Sequence, residues 1–190
     1  SRIAFVVDED IVTAMAYSFD GSYDYLYQVL YSQKESFGHI GTSYDMLNLS
    51  DLKDGLHKEY DVYVVVALNV DDEERAALDK YVKKSGKTVI WVGPVGIYGE
   101  NGVMNAERAS EITDIDLTLA PKGVSYAIEM NEGNLFAKGL GGVLYGKPSS
   151  TLVNPLLYVT DENAEKMGVL HGTDYTGLAM KIASSSDGGT

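Results

Sequence analysis

The chain has 190 residues, 45% of them hydrophobic, and a formal net charge of −13 at pH 7. This length suits one domain with a sizeable core, the apolar content argues against disorder, and the acidic balance disfavours nucleic-acid phosphates and anionic lipid surfaces while tolerating neutral ligands such as sugars. Cysteine is absent, which excludes disulfides, cysteine-based zinc sites and any thiol nucleophile.

Residues 3–7 read IAFVV, an unbroken β-rich run of the kind found in parallel strands covered on both faces. The acidic Asp8, Glu9 and Asp10 follow. A helix is expected from about Ser22 to Phe37, with Leu26, Val29, Leu30 and Phe37 on its apolar face. Tyr23, Tyr27 and Tyr31 form an adjoining stripe at four-residue spacing. Gly38 and Gly41 end the pattern. SYDMLNL (43–49) reads as a short second strand, and Ser50 as the cap of a short helical turn through Leu52. YDVYVVVAL (60–68) is the clearest strand. Residues 71–84, DDEERAALDKYVKK, are the clearest helix, because acidic residues crowd the first turn and Lys83 and Lys84 the last. Ala77, Leu78, Tyr81 and Val82 form its buried face, and Gly86 stands where a glycine ends a helix. KTVIWVG (87–93) is the next strand, with Trp91 in the core, completing a βαβ crossover in a parallel sheet.

Beyond Gly93 the composition changes. GPVGIYGENG (93–102) is a glycine-rich loop, and NAERASEI (105–112) a short helix capped by Asn105. From Asp116 to Tyr158 the pattern predicts irregular strands and turns. PLLYV (155–159) reads as a strand, DENAEKMG (161–168) as a short helix stopped by Gly168, and GLAMKIA (177–183) as a final strand. No apolar run approaches a membrane span. No basic and apolar leader opens the chain. A strand beginning so close to Ser1 suggests a single domain, residues 1–190, cut from a longer protein, with a flexible tail at 184–190. Any targeting signal would then lie elsewhere, so the compartment stays open.

Three blocks carry a family likeness: FGHIGTSYDMLNLSDL, then EYDVYVVVALNVDDEERAALDKYVKKSGKTVIWVGPVGIYGENG, then AERASEITDIDL. In order and spacing they resemble the trimerisation domain of family 42 β-galactosidases and related bacterial glycoside hydrolases. The likeness continues weakly through LYVTDENAEKMGVL and GLAMKIA. It implies the class I glutamine-amidotransferase-like fold, a flavodoxin-like α/β arrangement with helices on both faces of a parallel sheet. In active members of that superfamily a cysteine sits on the turn after the strand that here is KTVIWVG. The turn in this chain reads Gly93-Pro94-Val95-Gly96, without Cys, Ser or Thr. A late histidine–glutamate pair is also expected there. His171 is late enough, but Gly172 and Thr173 follow it. Covalent chemistry needs a nucleophile and a positioned base, so the resemblance implies a non-catalytic domain. Such domains hold identical subunits together or wall the catalytic barrel domain of the same protein, and no cofactor is implied.

The candidate ligand-binding residues lie where ligands of open α/β sheets gather, at the strand C-termini: Asp8, Asp10, Asn69, Gly93 and Gly96. The alternative for Asp8, Glu9 and Asp10 is a solvated acidic loop. For the glycine loop it is a tight turn, because neither the lysine of a phosphate-binding loop nor a GxGxxG pattern is present. Tyr23, Tyr27 and Tyr31 are candidates for an interface with a partner subunit or a sugar ring; the alternative is a half-buried helix flank. His39, His57 and His171 are too scattered for a zinc pattern. Three functions stay open: an accessory assembly domain, a small-molecule or carbohydrate-binding domain, and an independent hydrolase using a carboxylate.

Overall fold

The computed structural model describes residues 2–18, 22–56, 58–99, 102–132, 138–146 and 152–183, without the side chains of residues 15–18, 22 and 23. The tail expected at 184–190 lies outside the described residues.

The first half is a parallel sheet of β1 (Ile3–Val7), β2 (Asp45–Asn48), β3 (Val62–Val66) and β4 (Thr88–Trp91), in the order β2-β1-β3-β4. Alternation along the strands divides their side chains between two cores. Ala4, Val6, Tyr63 and Val65 face one, with Leu49, Leu52, Leu78, Val82 and Ile112 packed over them. Phe5, Val64 and Val66 face the other, beneath Tyr25 and Val29. Both faces of the sheet are therefore covered, which is why these strands read as unbroken apolar runs. Each fully buried Val, Leu or Phe in them contributes roughly 1.5–3 kcal/mol through removal of apolar surface from water.

The helical layer begins earlier than the sequence pattern predicts. Helix α1 (Ile11–Ser18) follows β1 directly. Its start is marked by Asp8, whose side chain accepts from the Asp10 amide at 2.8 Å and whose carbonyl accepts from Ile11 at 3.3 Å. The expected helix from Ser22 is α2 (Ser22–Leu26), a π-helical turn (Tyr27–Ser32) and α3 (Gln33–Gly38) in unbroken succession. Ser50 does not cap its turn. Leu49 holds the cap position of the 3-10 turn Ser50–Asp54, and the Ser50 hydroxyl donates to the Glu9 carboxylate instead.

Helix α4 (Asp72–Ala77) starts from a capping box. The Asp71 carboxylate accepts from the Glu74 amide at 2.6 Å, and the Glu74 carboxylate accepts from the Asp71 amide at 2.9 Å, so two orphan donors are satisfied together. A π turn (Leu78–Val82) continues it and ends at Lys83, short of the Lys84 expected, so Gly86, at a φ of +74° that suits glycine, lies in the turn that follows and not at the helix end. Helix α5 (Ala106–Thr113) is capped by Asn105, as the sequence implies. Lys83 joins the ends of the two helices, donating to the Ile112 carbonyl at 3.0 Å and pairing with Asp114 at 2.8 Å.

The second half is more regular than expected. Strands β5 (Leu117–Leu119), β6 (Ile128–Met130), β7 (Leu144–Tyr145), β8 (Leu157–Val159), β9 (Glu165–Leu170) and β10 (Thr176–Met180) form a second sheet in the order β5-β8-β10-β9-β6-β7. Its pairings are antiparallel. The short helix expected over 161–168 is not formed. Asp161 heads a turn there, accepting from the Asn163 amide at 2.9 Å, and the chain then enters β9. Gly168 lies inside that strand, where an added Cβ would stand 2.9 Å from the Glu129 carbonyl oxygen. The glycine that reads as a helix stop instead admits the neighbouring strand. The architecture is mixed α/β, a helix-flanked parallel sheet joined to an antiparallel one.

Candidate functional site

Asp8, Asn69, and Gly93 with Gly96 follow the C-terminal ends of β1, β3 and β4 respectively. Asp8 is buried at 5% exposure. Its Oδ2 accepts from the amides of Leu68 at 3.2 Å and Asn69 at 3.0 Å, and its Oδ1 from the Asp10 amide. Its own amide donates to the Val66 carbonyl. The carboxylate therefore ties β1 to the end of β3 and starts α1. Burial pushes its pKa above the usual carboxylate range, against the pull of those amide donors. Asp10 and Glu9 stand on the exposed side of the same turn.

Asn69 is half-buried and pairs with Tyr98 in an isolated parallel bridge. The turn after β4 runs alongside. Gly93 and Gly96 both take left-handed φ values, +75° and +70°. Gly96 donates its amide to the Ala67 carbonyl at 3.0 Å and Tyr98 donates to that of Leu68 at 3.1 Å, so this loop extends the end of β3. Pro94 and Val95 between the glycines are buried. A Cβ at Gly96 would stand 2.3 Å from Ile112 Cδ1, and one at Gly93 3.1 Å from the Tyr25 hydroxyl oxygen. Both glycines are thus required by close approach and by backbone conformation. The turn offers no hydroxyl or thiol, and its closeness to β3, α5 and Tyr25 accounts for its sequence.

Tyr25 is a residue that the sequence pattern passes over. It is 4% exposed, and burial drives its pKa far upward, so it remains a neutral phenol. Its ring lies 5.9 Å from that of Tyr126. Helical spacing could have found it, since Tyr25 and Val29 are four apart and face the same core.

The tyrosine stripe divides differently. Tyr27 and Tyr31 are exposed at 46% and 51%, with ring centroids 6.0 Å apart. They present a continuous aromatic surface to solvent, and the flank buried beneath them is formed by Tyr25 and Val29. The Tyr23 side chain lies outside the described residues.

His171 has an acidic partner that its sequence neighbours do not supply. Its Nδ1 lies 3.5 Å from Glu129 Oε2, with both side chains nearly half exposed. The pairing of β6 with β9, Glu129 opposite Val169, creates this contact. His39 is exposed after α3, and His57 lies outside the described residues. Among the described residues, no three His, Asp or Glu side chains converge as a metal-ligand set.

A shallow cleft of about 490 Å³ opens elsewhere, lined by Asp72, Gly99, Asn105, Glu107, Arg108 and Glu111 among others. Its polar groups are largely engaged with one another. Arg108 donates to the Val70 carbonyl at 2.7 Å and to Asp72 at 3.0 Å, Arg75 pairs with Glu111 at 2.8 Å, and Asn105 accepts from two helix amides. The Arg108 Nε is buried and unpartnered, pressed against Gly99, where a Cβ would come within 3.0 Å of it.

Among solved structures, the fold is similar to Gan42B, a GH42 β-galactosidase, with a TM-score of 0.58 and 16% identity over 94% of this chain. The chain spans only 25% of that protein's length. Lower likenesses, each with a TM-score of 0.49, are to a β-galactosidase from Bifidobacterium adolescentis (14% identity, 94% of this chain and 84% of that one) and a ThuA-like protein from Bacteroides uniformis (12% identity, 95% and 73%). No protein-family model matches the chain, and no curated protein matches it by sequence.

Proposed function

We propose that this chain is a non-catalytic accessory domain of a larger glycoside hydrolase similar to the GH42 β-galactosidases, joining protomers or docking onto a catalytic domain. One observation carries the reading: 94% of this chain matches only a quarter of Gan42B. That share suits a domain of an enzyme better than an enzyme. The chemistry of the strand ends agrees. Acyl transfer needs a nucleophile beside a base, and the turn Gly93-Pro94-Val95-Gly96 supplies none. His171 and Glu129 are paired, but a base and its orienting carboxylate are insufficient alone. In the ligand-binding alternative Asp8 would have little to offer, because both of its oxygens already accept backbone amides.

The test uses the purified chain and the parent protein encoded by the same reading frame. The chain alone should leave nitrophenyl β-galactosides unhydrolysed and should bind the separately expressed catalytic region. Deleting residues 1–190 from the parent should lower its oligomeric order or its stability. Turnover by the chain alone, or no binding together with no effect of the deletion, would overturn the reading.

A further inference from the structure

Tyr27 and Tyr31 are each about half exposed, with ring centroids 6.0 Å apart and ring planes inclined at 37°. Neither ring is needed to bury the helical stretch that carries it. Tyr25, Leu26, Val29, Leu30 and Phe37 already pack that stretch onto the core of the parallel sheet. An adjacent aromatic pair left in water, which the fold does not require, marks a contact surface. Polar groups border it. Gln28 and Ser32 follow the two tyrosines and are half-buried, and Lys34 and Glu35 are exposed. These last two stand three and four residues beyond Tyr31, on the same side of the helical stretch. Among the described residues, neither the Lys34 ammonium nor the Glu35 carboxylate has an ion-pair partner.

Size, charge and chemistry select the occupant. Two half-exposed tyrosines offer on the order of 200 Å², against roughly 800 Å² per partner in a stable protein interface. That area suits one or two sugar rings. A chain of net charge −13 repels phosphates, sulfates and acidic partners, and Lys34 and Glu35 at the rim sum to zero, so the ligand is uncharged. One face of a pyranose ring presents C–H bonds, and its rim presents hydroxyls. The C–H face packs on an aromatic ring, whose face carries negative charge density. The hydroxyls need both donors and acceptors, which Lys34 and Glu35 supply. A wholly apolar ligand would leave those two groups unused.

We infer that Tyr27 and Tyr31 form a stacking platform for a neutral oligosaccharide, with Lys34 and Glu35 hydrogen-bonded to its hydroxyls. The inference rests on the accessory-domain reading and adds a task to it: the domain holds a sugar chain close to the catalytic region that cuts it. An open platform encloses little of its ligand, so binding is weak, with a Kd of roughly 1 mM.

The test follows amide chemical shifts of the 190-residue chain as β-1,4-galactotetraose and its gluco-, manno- and xylo- counterparts are each added to about 10 mM, ten times the expected Kd. At least one should give saturable shifts centred on Ser22–Gly38. Tyr27→Ala with Tyr31→Ala should raise the Kd by about tenfold or more, as loss of aromatic anchors does. Tyr27→Phe with Tyr31→Phe keeps both rings and should stay within about threefold of the parent. Lys34→Met with Glu35→Gln should weaken binding about threefold or more through lost hydrogen bonds. Tetragalacturonate, the anionic counterpart, should bind at least about tenfold more weakly. Circular dichroism checks that each variant stays folded. The inference is overturned by no saturable shift with any of the four neutral sugars, by shifts centred elsewhere, by binding that survives the alanine pair, or by equal binding of the anionic sugar. If no sugar binds and the alanine pair instead abolishes binding to the separately expressed catalytic region, the face is a protein contact and the inference fails. Hydrolysis by the parent chain and its binding to the catalytic region test the accessory reading by themselves, so either reading can fail alone.

Discussion

The Asp8 carboxylate accepts from the backbone amide of Asn69 at 3.0 Å, across the two central strands of the parallel sheet. The same side chain serves Leu68 and Asp10. It works as a structural clamp where sequence reasoning looks for a ligand site.

Substitution at Asp8 should therefore lower stability. Asp8→Ala leaves the buried Leu68 amide without an acceptor, at a cost of about 1–3 kcal/mol, and also frees the part-buried amides of Asn69 and Asp10. Asp8→Asn keeps one oxygen and should cost less. The pH dependence has a definite sign. A carboxylate whose folded pKa is raised holds its proton more tightly in the folded state, so stability falls as pH rises from its ordinary value, about 3.9, through the raised one. Urea unfolding at pH 4 and pH 7 checks this: in that window the pH slope of the parent should carry a component that Asp8→Asn lacks.

Gly96→Ala should be destabilising for two separable reasons. The left-handed φ of +70° costs a non-glycine residue, about 1 kcal/mol, and the new methyl would meet Ile112 Cδ1. Ile112→Val removes that carbon. In a double-mutant cycle the Gly96→Ala penalty should shrink in the Ile112→Val background but not vanish. Equal penalties in both backgrounds would show that the loop yields where the packing places a fixed contact.

The buried Asp161 carboxylate pairs with Lys181 at 2.7 Å and accepts from the amides of Asp116 and Asn163. The hydrogen bond from Lys181 is the main cause holding its pKa below the usual value. Such a group contributes stability above its unfolded pKa and loses it as pH falls through the folded one. Lys181→Met should lower the melting temperature at pH 7. The gap from the parent should narrow below about pH 4, as Asp161 becomes protonated in both proteins. Melting curves across that range decide it, and a gap that widens in acid contradicts the assignment.

Much of the first half was legible because local signals and packing agree there. Strands β1 and β3 are apolar on both faces, and α4 carries its capping box in Asp71 and Glu74. Helix α1 was missed because Asp8 through Asp10 read as an acidic loop, although an aspartate two residues before an amide it bonds is a helix-start signal. In β9 the local pattern misleads. EKMGVL lacks strand alternation, yet Met167 and Leu170 are buried and pairing with β6 and β10 supplies the backbone partners. Tertiary context overrides propensity there. The approach of His171 to Glu129 depends on that same register, and residues 42 apart carry no sequence sign of it. Asp8 was found by position, but its role depends on three donors that only the fold assembles.

Phe5, Val64 and Val66 share one core with Ala120, Val124, Val153, Leu156 and Leu170 from the second half. The two sheets therefore cannot be trimmed or transplanted separately without loss: a cut after β4 would leave Phe5, Val64 and Val66 covered only by Tyr25, Val29 and their neighbours, and the second sheet without its floor. Any fusion that borrows this domain has to move both sheets together as one cassette.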